Sequence, residues 1–206
     1  MTRVYLDHNA TAPLRAEAKS AMLAAMDVVG NPSSVHGEGR AAKALVERAR
    51  AQVAAAVGCM PQEVIFTSGA TEAAGVLAHW PGPVNVQPTA HDAVFAHQRA
   101  AESGPPILAM GLANSETGIL TDPPQDHEGA LLLDITQALG RVPFSFSWSG
   151  ADMAICSAHK LGGPKGVGAL IVRQGLDIAS LSLGGGQEMG RRSGTENVIG
   201  IAGFGA

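Results

Sequence analysis

The feature that most constrains the fold is a short apolar run, Met153 to Cys156, followed at once by polar residues and then by glycines. The run is too short for a helix and ends at small polar residues, so it predicts a buried strand. Ser157, His159 and Lys160 lie at the exit of this strand. A lysine near low-dielectric surroundings loses its proton more easily and becomes a nucleophile toward carbonyl groups. For Lys160 alone, a solvated loop lysine is the simpler interpretation, since lysine is rarely buried.

A second apolar run, Ala130 to Leu133, ends in Asp134. A carboxylate at the end of a buried strand needs a cationic partner, because burying an unpaired carboxylate is costly. The protonated ring nitrogen of pyridoxal 5′-phosphate (PLP) is such a partner, and PLP also forms a Schiff base with a lysine. Asp134 and Lys160 together therefore predict a PLP site.

Composition narrows the class of protein. The 206 residues suffice for one sizeable domain, and 46% hydrophobic residues are ordinary for a globular protein. Only 4% aromatic residues and a formal charge of -4 argue against a nucleic-acid or anionic-membrane binder. The sequence has no apolar stretch of membrane-spanning length and no secretory signal, so we expect a cytoplasmic protein. Two cysteines, Cys59 and Cys156, predict neither a disulfide framework nor a metal site.

Helical and strand patterns alternate along the rest of the chain. Helices are predicted over 13–29 and 39–57, the second ending at Gly58, which is placed as a C-terminal cap. Strands are predicted over 4–6, 63–67, 84–87, 107–112 and 168–173. The second of these strands, 63–67, runs through a small-residue turn into Ala70 and Thr71. Free N–H groups at such a helix start attract phosphate, although Thr71 alone could be an ordinary N-cap.

Six motifs, in chain order, resemble those of the cysteine desulfurases. They read VYLDHNATAPL, VIFTSGATEA, ANSETG, LLDITQALG, SAHKLGGPKGVGAL and RRSGTEN, and they extend from residue 4 to residue 197. Cysteine desulfurases belong to the class V branch of the PLP-dependent fold-type-I enzymes. The resemblance implies an α/β fold, with a mostly parallel central sheet flanked by helices. It assigns residues 1–12 to the small domain and active-site entrance, and residues 13–206 to the PLP-binding large domain.

The resemblance also implies roles for individual residues. Lys160 is the Schiff-base lysine, Asp134 pairs with the ring nitrogen, and His91 stacks on the ring and helps to move protons. Thr195 reaches the cofactor phosphate of a neighbouring subunit, which implies a homodimer. The remaining residues assigned to cofactor binding are Ala70, Thr71, Asn114, Ser115, Gln137, Ser157 and His159.

The sequence departs from the family pattern in two places. Ser115 stands where the family has the second of two asparagines, which hydrogen-bonds the phenolic oxygen of the cofactor. Between His97 and Ile107 there is only a brief turn, where the family usually carries a further strand and helix. This predicts that a peripheral piece of the sheet is missing.

The activity implied by the resemblance is release of sulfur from L-cysteine as a persulfide, with alanine as the product. The sulfur would serve iron–sulfur cluster assembly or another transfer, through an acceptor or scaffold protein. The family's C-terminal small domain, nucleophilic cysteine and carboxylate-binding arginine match no residue up to Ala206, so we expect a portion that is inactive alone. Cys59 and Cys156 are expected to be inert. The alternatives are another class V enzyme, such as an aminotransferase or selenocysteine lyase, or a non-catalytic PLP-binding or dimerisation remnant.

Overall fold

The structure, a computed structural model, describes residues 3–206 and is built around one six-stranded sheet. Its strands are β1 (Val64–Thr67), β2 (Val84–Val86), β3 (Ile107–Gly111), β4 (Ala130–Asp134), β5 (Met153–Ser157) and β6 (Gly168–Val172). Their spatial order is β1-β6-β5-β4-β3-β2. Strands β2 to β5 pair in parallel, and β6 is antiparallel to both β1 and β5. The first five strands therefore end at the same edge, which confirms the mostly parallel α/β architecture.

Five α-helices surround this sheet. They are α1 (Ala16–Met26), α2 (Gly37–Val57), α3 (Ala70–Ala74), α4 (Asp92–Phe95) and α5 (Val198–Gly205). Helix α2 ends at Gly58, whose φ of 74° is the left-handed conformation expected of a glycine cap. Helix α5 was not predicted from the sequence, and it packs against α1 and α2.

A separate hydrophobic core covers each face of the sheet. Leu131 and Leu133 pack on the side of α2, whereas Leu132 packs on the side of α3. Alternate residues of one strand point to opposite faces, so a strand covered on both sides must be apolar throughout. This double coverage explains why the central strands are continuous apolar runs in the sequence.

The sheet ends at β2, as the short turn after His97 predicts. Among residues 96–106 the structure describes no further strand or helix. Instead Arg99 covers the open edge: it exchanges backbone hydrogen bonds of 2.9 and 3.1 Å with Val84. The Arg99 guanidinium also donates to the carbonyl oxygens of Leu77 and Trp80. The backbone of Arg99 thus pairs with the edge of β2, and its side chain ties this segment to the residues before β2.

The strand predicted over 4–6 is wrong. The segment pairs with no strand among residues 3–206, and Val4 and Leu6 are 72% and 79% exposed. The chain here follows the loop after β5 instead, because Ala12 N–H donates to His159 O and Arg15 N–H donates to Gly162 O, both at 2.8 Å. Helix α1 consequently begins at residue 16 rather than 13. The N-terminal segment is held against the loop that carries Lys160.

Candidate active site

The carboxyl-terminal edge of the sheet opens into a cavity of about 750 Å³. Open α/β sheets bind ligands at this edge, outside the carboxyl ends of their parallel strands. The cavity receives Gly111 from the end of β3, Asp134 from the end of β4 and Ser157 from the end of β5. Every predicted site residue except Thr195 lines it, namely Ala70, Thr71, His91, Asn114, Ser115, Asp134, Gln137, Ser157, His159 and Lys160.

Asp134 lies half-buried at the end of β4, where it lines the cavity. Burial raises the pKa of its carboxyl, opposed by Thr136 and by the nearby His91 and Lys160. The Thr136 N–H donates to Asp134 Oδ1 at 2.9 Å. Burial is the largest of these influences, so a cation bound in the cavity would further stabilise the charged carboxylate.

Lys160 extends its amine into the same cavity. Its Nζ donates to the carbonyl oxygen of Asn9. Burial and the positive charge of Arg141 lower the pKa of Lys160, whereas Asp134 and two exposed acidic residues oppose this. The net lowering agrees with the nucleophilic role predicted from the sequence.

The turn after β1 forms the opposite end of the cavity. Ala70 N–H donates to Ser157 Oγ at 2.8 Å, which joins this turn to the end of β5. Gly168 permits the close approach, because a Cβ there would clash with the carbonyl oxygen of Cys156 and lie 2.6 Å from Gly69 Cα. Thr71 is exposed to the cavity. The small residues and the start of α3 at this end suit an anion.

Two histidines line the wall between these ends. Nδ1 of His91 accepts a hydrogen bond of 3.1 Å from Ala93 N–H and caps α4, which leaves Nε2 to carry the ring proton. His159 Nδ1 lies 3.2 Å from Thr11 Oγ1, within hydrogen-bonding distance. Burial, followed by the charges of Lys160 and a second nearby lysine, lowers the pKa of His159. The lowered pKa favours the neutral form of His159, which can stack on a ligand or move a proton.

Asn114 and Ser115 line the cavity but use their polar atoms within the protein. Asn114 Oδ1 accepts from the N–H groups of Glu116 and Thr117 at 3.0 and 2.9 Å, and Asn114 Nδ2 donates to Thr89 O. Ser115 Oγ donates to Glu116 Oε1 at 3.0 Å. These contacts shape the loop after β3. A direct contact of either side chain with a cofactor stays a prediction.

Thr195 is exposed and lies outside the lining of this cavity. Its contact with the site of a neighbouring subunit stays a prediction. The loop around it is tied to the turn after β1, since Arg192 Nε donates to Glu72 Oε1 at 2.8 Å. Glu72 Oε2 in turn accepts from Ser68 N–H.

Both cysteines are poor nucleophiles in this structure. Cys156 is fully buried in β5, and Cys59 is half-buried beyond the end of α2. Burial is the main cause that raises the pKa of each thiol to about 12. Very little thiolate forms near neutral pH, so neither residue has the reactivity of a catalytic cysteine.

Three residues near the site were missed as individual site residues. Asn9 accepts hydrogen bonds from Lys160 and, at 2.9 Å, from Gln137 Nε2. The Thr136 hydroxyl is buried beside Asp134 without a hydrogen-bond partner among the described residues. Arg141 reaches the backbone of Lys160 from outside the cavity. The first two stand within recognised motifs, whereas nothing in the sequence distinguishes Arg141.

The residues present fit PLP. The buried carboxylate of Asp134 requires a cation, which a protonated pyridine nitrogen provides, and Lys160 offers an amine with a lowered pKa. Donors at the turn after β1 suit the phosphate. No group of three or more His, Cys, Asp or Glu side chains within residues 3–206 could hold a metal ion. No helix in this described part is long and apolar enough to cross a membrane.

The comparisons with known proteins agree with this geometry. A cysteine desulfurase of Frankia sp. is 42% identical over 255 aligned residues, which cover 98% of this chain and 61% of the relative. One from Klebsiella pneumoniae is 37% identical, covering 100% of this chain and 62% of the relative. The X-ray structure of a NifS-like protein from Rickettsia africae superposes with a TM-score of 0.90 at 32% identity, covering 99% of this chain and 67% of that one.

The chain spans about three fifths of the curated relatives it matches, at 61% and 62% of their lengths. The alignments are also longer than the chain, so the relatives carry residues inside the matched region that are missing here. The profile of the family described as aminotransferase class-V matches residues 4–97 and 96–206. These two matches meet where the sequence predicts the missing strand and helix. With nearly its whole length matched, the chain belongs to the aminotransferase class-V family.

Proposed function

We propose that this chain binds PLP and forms the cofactor site of a cysteine desulfurase. The observation that carries the proposal is the meeting of Lys160 and Asp134 in one cavity, with the turn after β1 at the other end. The relatives from Frankia and Klebsiella are both named cysteine desulfurases. Enzymes of the class-V family use PLP.

When bound, PLP supplies an electron sink for negative charge that develops on the α-carbon of an amino acid. Asp134 keeps the ring nitrogen protonated, which that function requires. The Lys160 amine, with its lowered pKa, removes and returns a proton at the α-carbon of the substrate. His91 carries a proton at Nε2 and lies on the same cavity wall.

In the proposed reaction, the sulfur of L-cysteine passes to a cysteine thiolate as a persulfide, and alanine is released. Neither cysteine of this chain suits that step, because burial raises the pKa of each thiol to about 12. The sulfur then passes to an acceptor or scaffold protein, for iron–sulfur cluster assembly or another use. We further propose a cytoplasmic homodimer, in which Thr195 serves the site of the neighbouring subunit.

Proton exchange at the α-carbon tests this proposal without requiring the nucleophilic cysteine. L-Alanine, the proposed product, is incubated in D₂O with the chain and PLP, and loss of the α-proton is followed by NMR. We expect exchange well above that of free PLP, and a loss of roughly 10²- to 10⁴-fold in Lys160→Ala. Lys165→Ala is the matched control and should retain the exchange.

Two outcomes would contradict the proposal. Exchange equal to that of free PLP would mean that Lys160 does not act on a bound amino acid. Stoichiometric conversion of L-alanine to pyruvate would indicate an aminotransferase instead of a desulfurase.

A further inference from the structure

Arg141 joins three segments that border the cavity. Its Nη1 donates to the carbonyl oxygen of Gln137 at 3.3 Å and also to Gln137 Oε1. Its Nη2 donates to the carbonyl oxygens of His8 at 3.3 Å and Lys160 at 3.1 Å. One guanidinium thereby links the N-terminal segment, the residues after β4 and the loop after β5.

These hydrogen bonds continue to the amine of Lys160. Gln137, whose side-chain oxygen accepts from Arg141, donates through Nε2 to Asn9 O at 2.9 Å. The same Asn9 oxygen accepts the hydrogen bond from Lys160 Nζ. Arg141 thus fixes the backbone of Lys160 directly and, through Gln137 and Asn9, the acceptor of its amine.

Arg141 also places a permanent positive charge beside Lys160. A guanidinium stays protonated under all ordinary conditions, so this charge does not vary with pH. It acts together with burial to lower the pKa of Lys160. The other charged or titratable groups that face Lys160 are Asp134, Asp7 and Glu116, which oppose the lowering, and the neighbouring His159.

We propose that Arg141 is a positioning residue for Lys160: its fork of hydrogen bonds orients the lysine, and its guanidinium places a fixed positive charge beside the amine. The proposal rests on the proposed function of Lys160 in PLP binding. The alternative is that Arg141 is an ordinary exposed arginine, whose surface contacts add little to stability and do not affect Lys160. Substitutions that separate the charge from the hydrogen bonds distinguish these possibilities.

Competitive acetylation of the full chain, carried out before PLP is added, measures the protonation of Lys160 directly. Trace acetic anhydride is applied across a pH series, and labelling of each lysine is quantified by peptide mass spectrometry, with the exposed Lys19 as internal reference. Arg141→Gln removes the charge, so the labelling midpoint of Lys160 should move to higher pH while that of Lys19 stays in place. The exposed Arg48→Gln is the matched control, and it should leave both midpoints unchanged.

Arg141→Lys tests the hydrogen bonds separately. A lysine keeps the positive charge, so the Lys160 midpoint should stay near that of the parent. Its ammonium lacks the planar fork and cannot reach all four acceptors. PLP binding, measured by absorbance titration, should therefore weaken roughly threefold to tenfold.

An unchanged Lys160 midpoint in folded Arg141→Gln would overturn the charge effect. Unchanged PLP affinity in Arg141→Lys would overturn the orienting role, and this variant carries the test if Arg141→Gln does not fold. Because acetylation is measured without PLP, a protein that fails to bind the cofactor would contradict the proposed function and leave the acetylation test of Arg141→Gln intact.

Discussion

At the scale of single residues, the site combines groups that are unfavourable for the stability of the free protein. Asp134 has a raised pKa because it is buried, and Lys160 has a lowered pKa for the same main reason. The lowered pKa favours the neutral amine of Lys160, whereas the carboxylate of Asp134 would be stabilised once a cation such as a pyridinium lies beside it. Perturbed groups that converge in one cavity are a recognised mark of a functional site.

Asp134→Asn should raise the stability of the cofactor-free chain near neutral pH. The folded-state pKa of Asp134 lies above its unfolded value, so the folded state retains the proton longer, and stability falls as pH rises through this interval. The amide keeps an acceptor for the Thr136 N–H but carries no charge. We expect Asp134→Asn to have a higher Tm than the parent at about pH 7, and this difference in Tm should disappear in acid. For a chain of this size, each kcal/mol corresponds to about 2–4 °C in Tm.

With PLP bound, the parent should have the higher Tm of the two proteins, because the ring cation stabilises the carboxylate of the parent and not the amide of Asp134→Asn. Thermal melting with and without PLP measures both effects. A lower Tm for cofactor-free Asp134→Asn at neutral pH would contradict the role of burial described here. Complete loss of PLP binding in the folded variant would contradict an electronic role for Asp134, since the phosphate end supplies much of the affinity.

At the scale of elements, the sequence predicts the strands that carry the site and fails where contacts are non-local. Asp134 and Ser157 end apolar runs, so their location at one sheet edge follows from parallel pairing. The segment 4–6 has the composition of a strand but no partner, and the structure leaves it exposed. The edge of β2 is closed by Arg99, a contact that depends on tertiary proximity and has no periodic pattern.

Gly168→Ala should disturb the turn after β1 and thereby the proposed phosphate end. The added Cβ would lie 2.6 Å from Gly69 Cα, a backbone atom that cannot move without shifting the turn. We expect a loss of about 1–3 kcal/mol in the free energy of unfolding and weaker PLP binding. Gly37→Ala at the start of α2 is the control, because its Cβ would meet no atom within 4 Å. Equal PLP affinity in both folded variants would show that the turn does not need this close packing.

At the scale of the whole molecule, a buried ion pair ties α2 to the loop after β6. Arg50 donates to both carboxylate oxygens of Glu188 at 2.8 and 2.9 Å, across 138 residues of sequence. Glu188 is 4% exposed and also accepts from Phe66 N–H at 2.8 Å. Arg50 lies within α2 and Glu188 lies in a glycine-rich loop, and no sequence pattern links the two. The pair could therefore not be predicted from the sequence. Its geometry holds the loop that continues to Thr195.

Glu188→Ala should destabilise the chain by about 3–5 kcal/mol, because it leaves the buried guanidinium of Arg50 without its carboxylate. Glu47→Ala is the matched control: Glu47 pairs with the same arginine but is exposed, so its loss should cost at most about 1 kcal/mol. Denaturant unfolding followed by circular dichroism measures both. Equal effects of the two substitutions would mean that the buried pair does not stabilise the fold.

The central claim, that Lys160 is the residue to which PLP attaches, is tested most directly by covalent trapping. The chain is incubated with PLP, reduced with borohydride and digested, and each lysine-containing peptide is examined by mass spectrometry. We predict a visible absorption band that disappears on reduction and a phosphopyridoxyl group on the peptide containing Lys160, absent from Lys160→Arg and retained in Lys165→Arg. A colourless chain, or modification confined to other lysines, would contradict the account.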